Sequence, residues 1–143
     1  MLHRIFRRHP VTPEPLPELD AKLALGALLV RVAMADNVYT AEEIGQIDRT
    51  IAKNYDLNPI EAARLRAICE KLEKRAPGTE EFAQLIRQKV PYVDRVQIVG
   101  ALWDVVLADG VRDDAEEDTL HLIETTLGIT PQDSDAAKTA ALQ

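Results

Sequence analysis

Three carboxylates, Asp109, Asp113 and Glu116, are candidate metal ligands. They lie where an apolar segment, residues 96–107, is followed by an amphipathic one. Carboxylate oxygens are ligands that hard cations such as Ca2+ and Mg2+ prefer in proteins. An EF-hand loop needs acidic residues at positions one, three and five, glycine at six and glutamate at twelve. Counted from Asp109, the candidate ligands here stand at positions one, five and eight, and Gly110 stands at two. The sequence therefore predicts a divalent-cation site that is not an EF-hand.

A weaker candidate of the same kind occurs earlier in the chain. Asp36 and Glu43 have the same separation as Asp109 and Glu116, but Thr40 takes the place of the middle acid. We predict metal ligands in both turns, with the second turn providing the stronger site.

A purely structural role for these turns is the alternative. Thr40–Glu43 has the spacing of a capping box, in which the glutamate carboxylate reaches back to the amide of the cap residue, and Glu116 has the same position in the second turn. Asp36 and Asp109 are not explained in this way. Each follows the carbonyl end of a predicted helix, where an acid is mildly unfavourable.

Helices must position both turns. Apolar residues recur at helical spacing along most of the chain, and only 4% of the residues are aromatic, which predicts an aliphatic core. We predict a compact, single all-α domain of about seven helices over residues 18–143, with the first helix at Glu18–Ala35. That segment and residues 96–107 are apolar on nearly all sides, so these two helices should be central and buried.

The two halves of this domain are similar in sequence, which predicts two pseudo-symmetric repeats around the two central helices. The aligned positions are residues 30–38 with 103–111, Glu43 with Glu116 and, after one gap, residues 56–59 with 128–131.

One equivalent pair on the central helices, Arg31 and Asp104, carries opposite charges. We expect the two side chains to pair across the pseudo-symmetry axis. The alternative is that each side chain extends to solvent at the edge of its helix.

The charge balance restricts the partners. A formal net charge of -7 repels phosphate backbones, so we expect no nucleic-acid binding and favour a protein partner with a basic surface. Residues 1–17 form a basic, proline-rich tail, and Leu2, Ile5 and Phe6 would share one face of a short helix. This tail is either a weak membrane-surface contact or a frayed terminus.

The lack of a recognisable targeting signal and the single cysteine predict a cytoplasmic protein. The basic tail is the segment that could bring it to the surface of a membrane. The first ten residues lack the apolar core of a signal peptide. The longest apolar run, residues 23–35, is too short to cross a bilayer. A single cysteine, Cys69, cannot form an internal disulfide.

The stretch Leu102–Gly110 ends in Ala-Asp-Gly and is followed by a hydrophobic residue and by Glu116. It resembles the TerB-like family of tellurite-resistance proteins, as do the duplicated hairpin and the Leu-Gly-Ile-Thr-Pro sequence at residues 127–131. The resemblance covers about residues 20–133. It implies an all-helical fold, a link to tellurite resistance and envelope stress, and an acidic surface suspected of binding metal. Asn37 replaces the family's usual glycine, which implies a differently shaped first site.

These observations favour a non-enzymatic TerB-like module with Ca2+ or Mg2+ as its only expected cofactor. One alternative is a purely structural protein-interaction module. Another is a small metal-dependent hydrolase with Asp109 and Glu116 as acid and base. The histidines give catalysis little support, because two of the three lie in the tail and His121 has no apparent nucleophile beside it in the sequence.

Overall fold

The computed structural model describes residues 20–107 and 114–142, and within them the chain is helical without any strand. The helices are α1 (Ala21–Ala33), α2 (Ala41–Tyr55), α3 (Pro59–Arg75), α4 (Thr79–Lys89), α5 (Tyr92–Val106), α6 (Asp114–Thr126) and α7 (Pro131–Leu142). The predicted all-α fold is confirmed. The predicted tail, residues 1–17, and two predicted ligands, Asp109 and Asp113, lie outside the described residues.

Local sequence signals set most of the helix ends. Thr40 begins α2 with the capping box that its spacing predicts, and Asn58 begins α3 with another. Gly128 follows α6 in the left-handed conformation, with φ 72°. At the start of α7, the hydroxyl of Thr130 accepts a hydrogen bond of 3.2 Å from the amide of Asp133. Caps of this kind each stabilise a helix by about 1 kcal/mol.

The first helix is shorter than the predicted range of about Glu18 to Ala35. Asp20 has an extended backbone (φ -115°, ψ 178°) and its carboxylate accepts a hydrogen bond of 2.8 Å from the amide of Leu23. The helix therefore begins at Ala21, because a cap overrides the apolar periodicity that continues to its N-terminal side. It ends at Ala33, where the chain turns towards Asp36.

The two apolar helices are central, as predicted. Helix α1 packs against α2, α3, α5 and α6, and α5 packs against α1, α2, α6 and α7. Every residue of α1 from Leu23 to Val30 is buried. In α5 the largest buried side chain is that of Trp103, which is 1% exposed.

A glycine permits the closest helix contact in this core. A Cβ atom built on Gly26 of α1 would lie 2.2 Å from Sγ of Cys69 in α3. Cys69 is fully buried, and burial raises the pKa of its thiol to about 12. It is a core residue, and its side chain occupies the space that the missing Cβ leaves.

The remaining helices pack as two corresponding groups. Helix α1 contacts α2 and α3, whereas α5 contacts α6 and α7; across the groups, α2 contacts α5 and α6 contacts α1. Helix α4 packs against α6 and buries Phe82, Ala83 and Ile86. Helix α7 buries no residue fully. The internal repeat stays a prediction from the sequence. Its two predicted copies correspond to these two groups of helices.

The predicted pairing of Arg31 with Asp104 is wrong. The guanidinium of Arg31 lies at the end of α3, where Nε contacts a carboxylate oxygen of Glu73 at 3.1 Å. It also donates to the carbonyl oxygens of Glu73, at 3.1 Å, and Pro77, at 2.7 Å. Three acceptors at a helix C-terminus, where the helix dipole also favours a cation, outweigh a single carboxylate on α5.

Candidate functional site

The first acidic turn is held together by its own carboxylates. Oδ1 of Asp36 accepts a hydrogen bond of 3.0 Å from the amide of Val38. Between them, Asn37 adopts the left-handed conformation with φ 64°, which its short polar side chain tolerates well. Asp36 therefore has a local role that helix capping did not suggest: it closes the turn after α1.

Glu43 is the capping residue that its spacing predicts. Its Oε1 atom accepts hydrogen bonds from the amide of Thr40 at 3.0 Å and from its hydroxyl at 3.1 Å. In return, the hydroxyl of Thr40 accepts from the amide of Glu43 at 3.1 Å. A metal ligand at this position would have to share an oxygen that already holds the start of α2.

The second acidic turn differs in the burial of its carboxylates. Asp109 and Asp113 lie outside the described residues, but Glu116 and its neighbour Glu117 are each only 7% exposed in the first turn of α6. Asp114, the first residue of α6, is exposed. Buried carboxylates require hydrogen-bond donors or opposite charge, and the N-terminus of a helix supplies part of both.

The described residues do not by themselves bring together a metal site. Within residues 20–107 and 114–142, no group of three or more His, Cys, Asp or Glu side chains is arranged to hold a metal ion. The predicted ligands Asp36, Glu43 and Glu116 therefore do not form such a group with one another. A site of this kind at the second turn depends on Asp109 and Asp113.

A buried glutamate that the sequence analysis did not single out joins three helices. Glu124 of α6 is 5% exposed. Its carboxylate accepts hydrogen bonds from Nε1 of Trp103 in α5, at 3.2 Å, and from the hydroxyl of Ser134 in α7. Its other oxygen lies 3.1 Å from Nδ1 of His121. The sequence did carry a signal: Glu124 stands four residues after Leu120, on the apolar face of α6.

The order of these groups does not match nucleophilic catalysis. A serine nucleophile needs an imidazole as its base, with a carboxylate behind that imidazole. Here the carboxylate of Glu124 lies in the middle and accepts directly from Ser134, with His121 on its far side. Lys138 lies 5.0 Å from the centre of the Trp103 ring and adds a cation–π contact. The arrangement fastens α7 to α5 and α6.

A surface groove of about 580 Å3 runs between α2 and α7, over α5. The α2 wall is polar and includes Gln46, Arg49, Lys53 and Asn54. The α7 wall consists of Ala137, Ala140 and Ala141, and the floor includes Gly100, Ala101 and Asp104. The three predicted ligands that the structure describes, Asp36, Glu43 and Glu116, do not line this groove.

Two features of the floor matter for binding. A Cβ atom built on Gly100 would meet no atom within 4 Å, so the groove is open directly above this residue. Burial raises the pKa of the Asp104 carboxyl above its ordinary value, and the positive charge of Lys53 opposes that rise. Asn54 and Gln97 close one end through a hydrogen bond of 2.7 Å.

No helix within the described residues is both long and apolar enough to cross a membrane.

Comparison with known families gives one match. The family model described as tellurite resistance protein TerB matches residues 22–139, which is most of the chain. Searches of curated proteins and of solved structures find no match. The chain belongs to the TerB family, as the Ala-Asp-Gly turn and the duplicated hairpin indicated.

Proposed function

We propose that this TerB-family chain is a non-enzymatic module that binds a divalent cation at the turn between α5 and α6, in a role linked to tellurite resistance or envelope stress. The observation that carries the proposal is the burial of Glu116 and Glu117 at the start of α6, each 7% exposed. Asp109 and Asp113 precede them within one short segment. Carboxylates this close in sequence repel one another, and a divalent cation between them would relieve that repulsion.

The proposal favours the second turn over the first. In the first turn, Oδ1 of Asp36 and Oε1 of Glu43 accept from backbone amides that the turn and the helix need. Glu43 is also only half-buried, so water can solvate its charge. The first turn then has a purely structural role. The proposed ligands of the cation site are Asp109, Asp113 and Glu116, in the second turn.

The expected ion is Ca2+ or Mg2+, since all the proposed ligands are oxygens. Tellurite is an anion, and an acidic turn in a chain of net charge -7 would repel it. The link to tellurite resistance would therefore act through signalling or scaffolding and not through sequestration.

Calcium and magnesium titrations, followed by calorimetry and thermal unfolding, test the cation site. An ion that binds the folded state but not the unfolded state stabilises a protein by about 2.7 kcal/mol when its free concentration is 100 times its dissociation constant. We expect millimolar Ca2+ or Mg2+ to raise the unfolding temperature of the wild type and of Asp36→Asn, the matched change in the first turn. We expect Asp109→Asn to remove most of that rise. An unchanged unfolding temperature with both ions, together with wild-type behaviour of Asp109→Asn, would refute the site.

A protein-interaction module is the second candidate function, and the groove between α2 and α7 favours it. The groove combines an alanine wall with a polar wall that carries Arg49 and Lys53. The hydrolase alternative would need a concave site that holds both acidic turns, and this groove contains neither Asp36 nor Glu116.

A further inference from the structure

The groove between α2 and α7 has a counterpart in the other half of the molecule. The C-terminal ends of α2 and α6 show which residues correspond. Helices α2 and α6 are each followed by a residue in the left-handed conformation, Asp56 with φ 54° and Gly128 with φ 72°. The next residue in each case donates its amide to the carbonyl five positions earlier. With these ends superposed, Asn54 of the groove corresponds to Thr126 of α6.

Two groove residues, Asn54 and Asp104, have counterparts that contact α4. The carbonyl of Thr126 accepts a hydrogen bond of 3.3 Å from Nη1 of Arg87, in the last turn of α4. On the central helices, Asp104 corresponds to Arg31, whose guanidinium lies 5.4 Å from the centre of the Phe82 ring of α4. An amphipathic helix thus covers, in one half of the fold, the surface that is an open groove in the other half.

We propose that the groove binds an amphipathic helix of a partner protein, with acidic residues beside its apolar face, in the position that α4 occupies on the opposite side. The proposal rests on the interaction-module function and not on the cation site, so the two can fail separately. Helix α4 shows the kind of occupant that fits: its eleven residues bury Phe82, Ala83 and Ile86 along one face.

The shape of the groove suits a helix. A helix with its side chains is about 10 Å across, so it approaches another helix closely only where the facing side chains are small. Gly100 and Ala101 on the floor and Ala137 and Ala141 on the α7 wall are small. The two alanines of α7 are only partly buried, although they already pack against the core.

The charges of the α2 wall favour an acidic partner helix over the chain's own basic tail. In a chain of net charge -7, the α2 wall carries two cations, Arg49 and Lys53, and both residues are exposed. The floor also carries the acid Asp104, so cations outnumber acids by one among the described lining residues. The two cations favour a helix with acidic residues on the α2 side. They disfavour the chain's own tail, residues 1–17, which contains three arginines and two histidines.

The probe is a set of synthetic peptides added to the 15N-labelled full chain, with EDTA present to remove divalent ions. The test peptide has the sequence of residues 78–90 with Arg87→Glu and Lys89→Glu. A control peptide also carries Phe82→Ser and Ile86→Ser, which removes its apolar face. We expect the test peptide to shift the amide resonances of Gly100 and Asn54. The control should bind at least about tenfold more weakly, since it cannot bury the two apolar side chains that it lacks.

Two variants of the protein make the assignment specific. Gly100→Leu places a side chain in the open space of the floor and should abolish the shifts. Lys53→Glu reverses one charge on the exposed wall, so it should weaken the acidic test peptide and strengthen the unaltered peptide of residues 78–90. Both variants should stay folded, because Lys53 is exposed and a Cβ on Gly100 meets no neighbour. Gly100→Leu should unfold at a temperature no lower than that of the wild type, since leucine is favoured over glycine in a helix.

Three results would overturn the proposal. Peptide-induced shifts that lie outside the groove, or that survive Gly100→Leu, would show that the peptides bind elsewhere. A change in the Gly100 resonance caused by Phe6→Ser in the absence of peptide would identify the chain's own tail as the occupant. A dimer in sedimentation experiments that Gly100→Leu dissociates would identify a second copy.

Discussion

Two glycines on the central helices should respond in opposite ways to the same substitution. Gly26 lies in α1 and Gly100 in α5, and alanine is favoured over glycine in a helix interior by about 1 kcal/mol. At Gly100 the new Cβ meets no atom within 4 Å, so only the helix preference acts. At Gly26 the new Cβ would lie 2.2 Å from Sγ and 3.1 Å from Cβ of Cys69. Because the helix term is common to both sites, the difference between the variants isolates the cost of overpacking.

Overpacking a closely packed core typically costs about 1–3 kcal/mol, and a separation of 2.2 Å to a fully buried sulfur places Gly26→Ala at the upper end. We expect Gly26→Ala to lower the free energy of unfolding by about 2 kcal/mol and Gly100→Ala to raise it by about 0.5–1 kcal/mol. Urea unfolding measures both values, and circular dichroism checks that the helix content is unchanged.

A double-mutant cycle with Cys69→Ala identifies the cause. Removing Sγ leaves the Cβ of residue 69 at 3.1 Å and Cδ1 of Ile51 at 3.6 Å as the nearest neighbours of the new methyl group. The double variant should therefore recover at least about 1 kcal/mol relative to the sum of the single changes. Equal stability of Gly26→Ala and Gly100→Ala would refute the reasoning, as would additivity of Gly26→Ala and Cys69→Ala.

Further predictions concern three individual side chains, those of Glu124, Cys69 and Asp104. Glu124→Leu leaves the indole N–H of Trp103 without its acceptor and should cost about 1–3 kcal/mol, with Glu124→Gln costing less; the emission of the single tryptophan reports the change, and wild-type stability of Glu124→Leu would contradict it. The pKa of Cys69 is raised to about 12 by burial, so its reaction with a thiol reagent at pH 8 should be slow and should accelerate only with global unfolding; rapid labelling of the native state would contradict its burial. The pKa of Asp104 is raised in the folded state, so this carboxyl stabilises the fold below its unfolded pKa and the contribution is lost as pH rises through the folded pKa. Asp104→Asn should therefore flatten the decline in stability between those two pKa values, and an unchanged pH profile would remove the effect.

Sequence reasoning succeeded where the determining interaction is local. A capping box needs only residues within one turn, so Thr40 could be assigned from its spacing to Glu43. Arg31 shows the limit of such reasoning: its equivalence to Asp104 was read from the alignment, but its partner depends on where α3 ends in space. Glu124 shows another limit, because a carboxylate on an apolar face has a partner only once the neighbouring helices are placed.

The candidate site was predictable to a similar degree. The role of Glu43 follows from a local motif, and the structure bears it out. The closing of the first turn by Asp36 was not foreseen, because it depends on the left-handed backbone of Asn37 that aims the next amide at the carboxylate. The burial of Glu116 and Glu117 could not be read from the sequence either, since carboxylates in a first helical turn are commonly solvated.

Helix α7 buries no residue fully, and among the described residues only small apolar side chains, Ala137 and Ala141, pack it against the core. Its other described contacts are polar or cation–π: from Ser134 to Glu124, from Lys138 to the ring of Trp103, and from the hydroxyl of Tyr92 to Asp133. Elements held in this way open with a smaller free energy than the core does, as separate cooperative units. Detachment of α7 would remove the alanine wall of the groove while α1 and α5 stay packed. A helix bound in the groove would contact that wall, so its binding would slow amide hydrogen exchange throughout α7, and conditions that weaken the hold of α7 would release the bound helix before the domain unfolds.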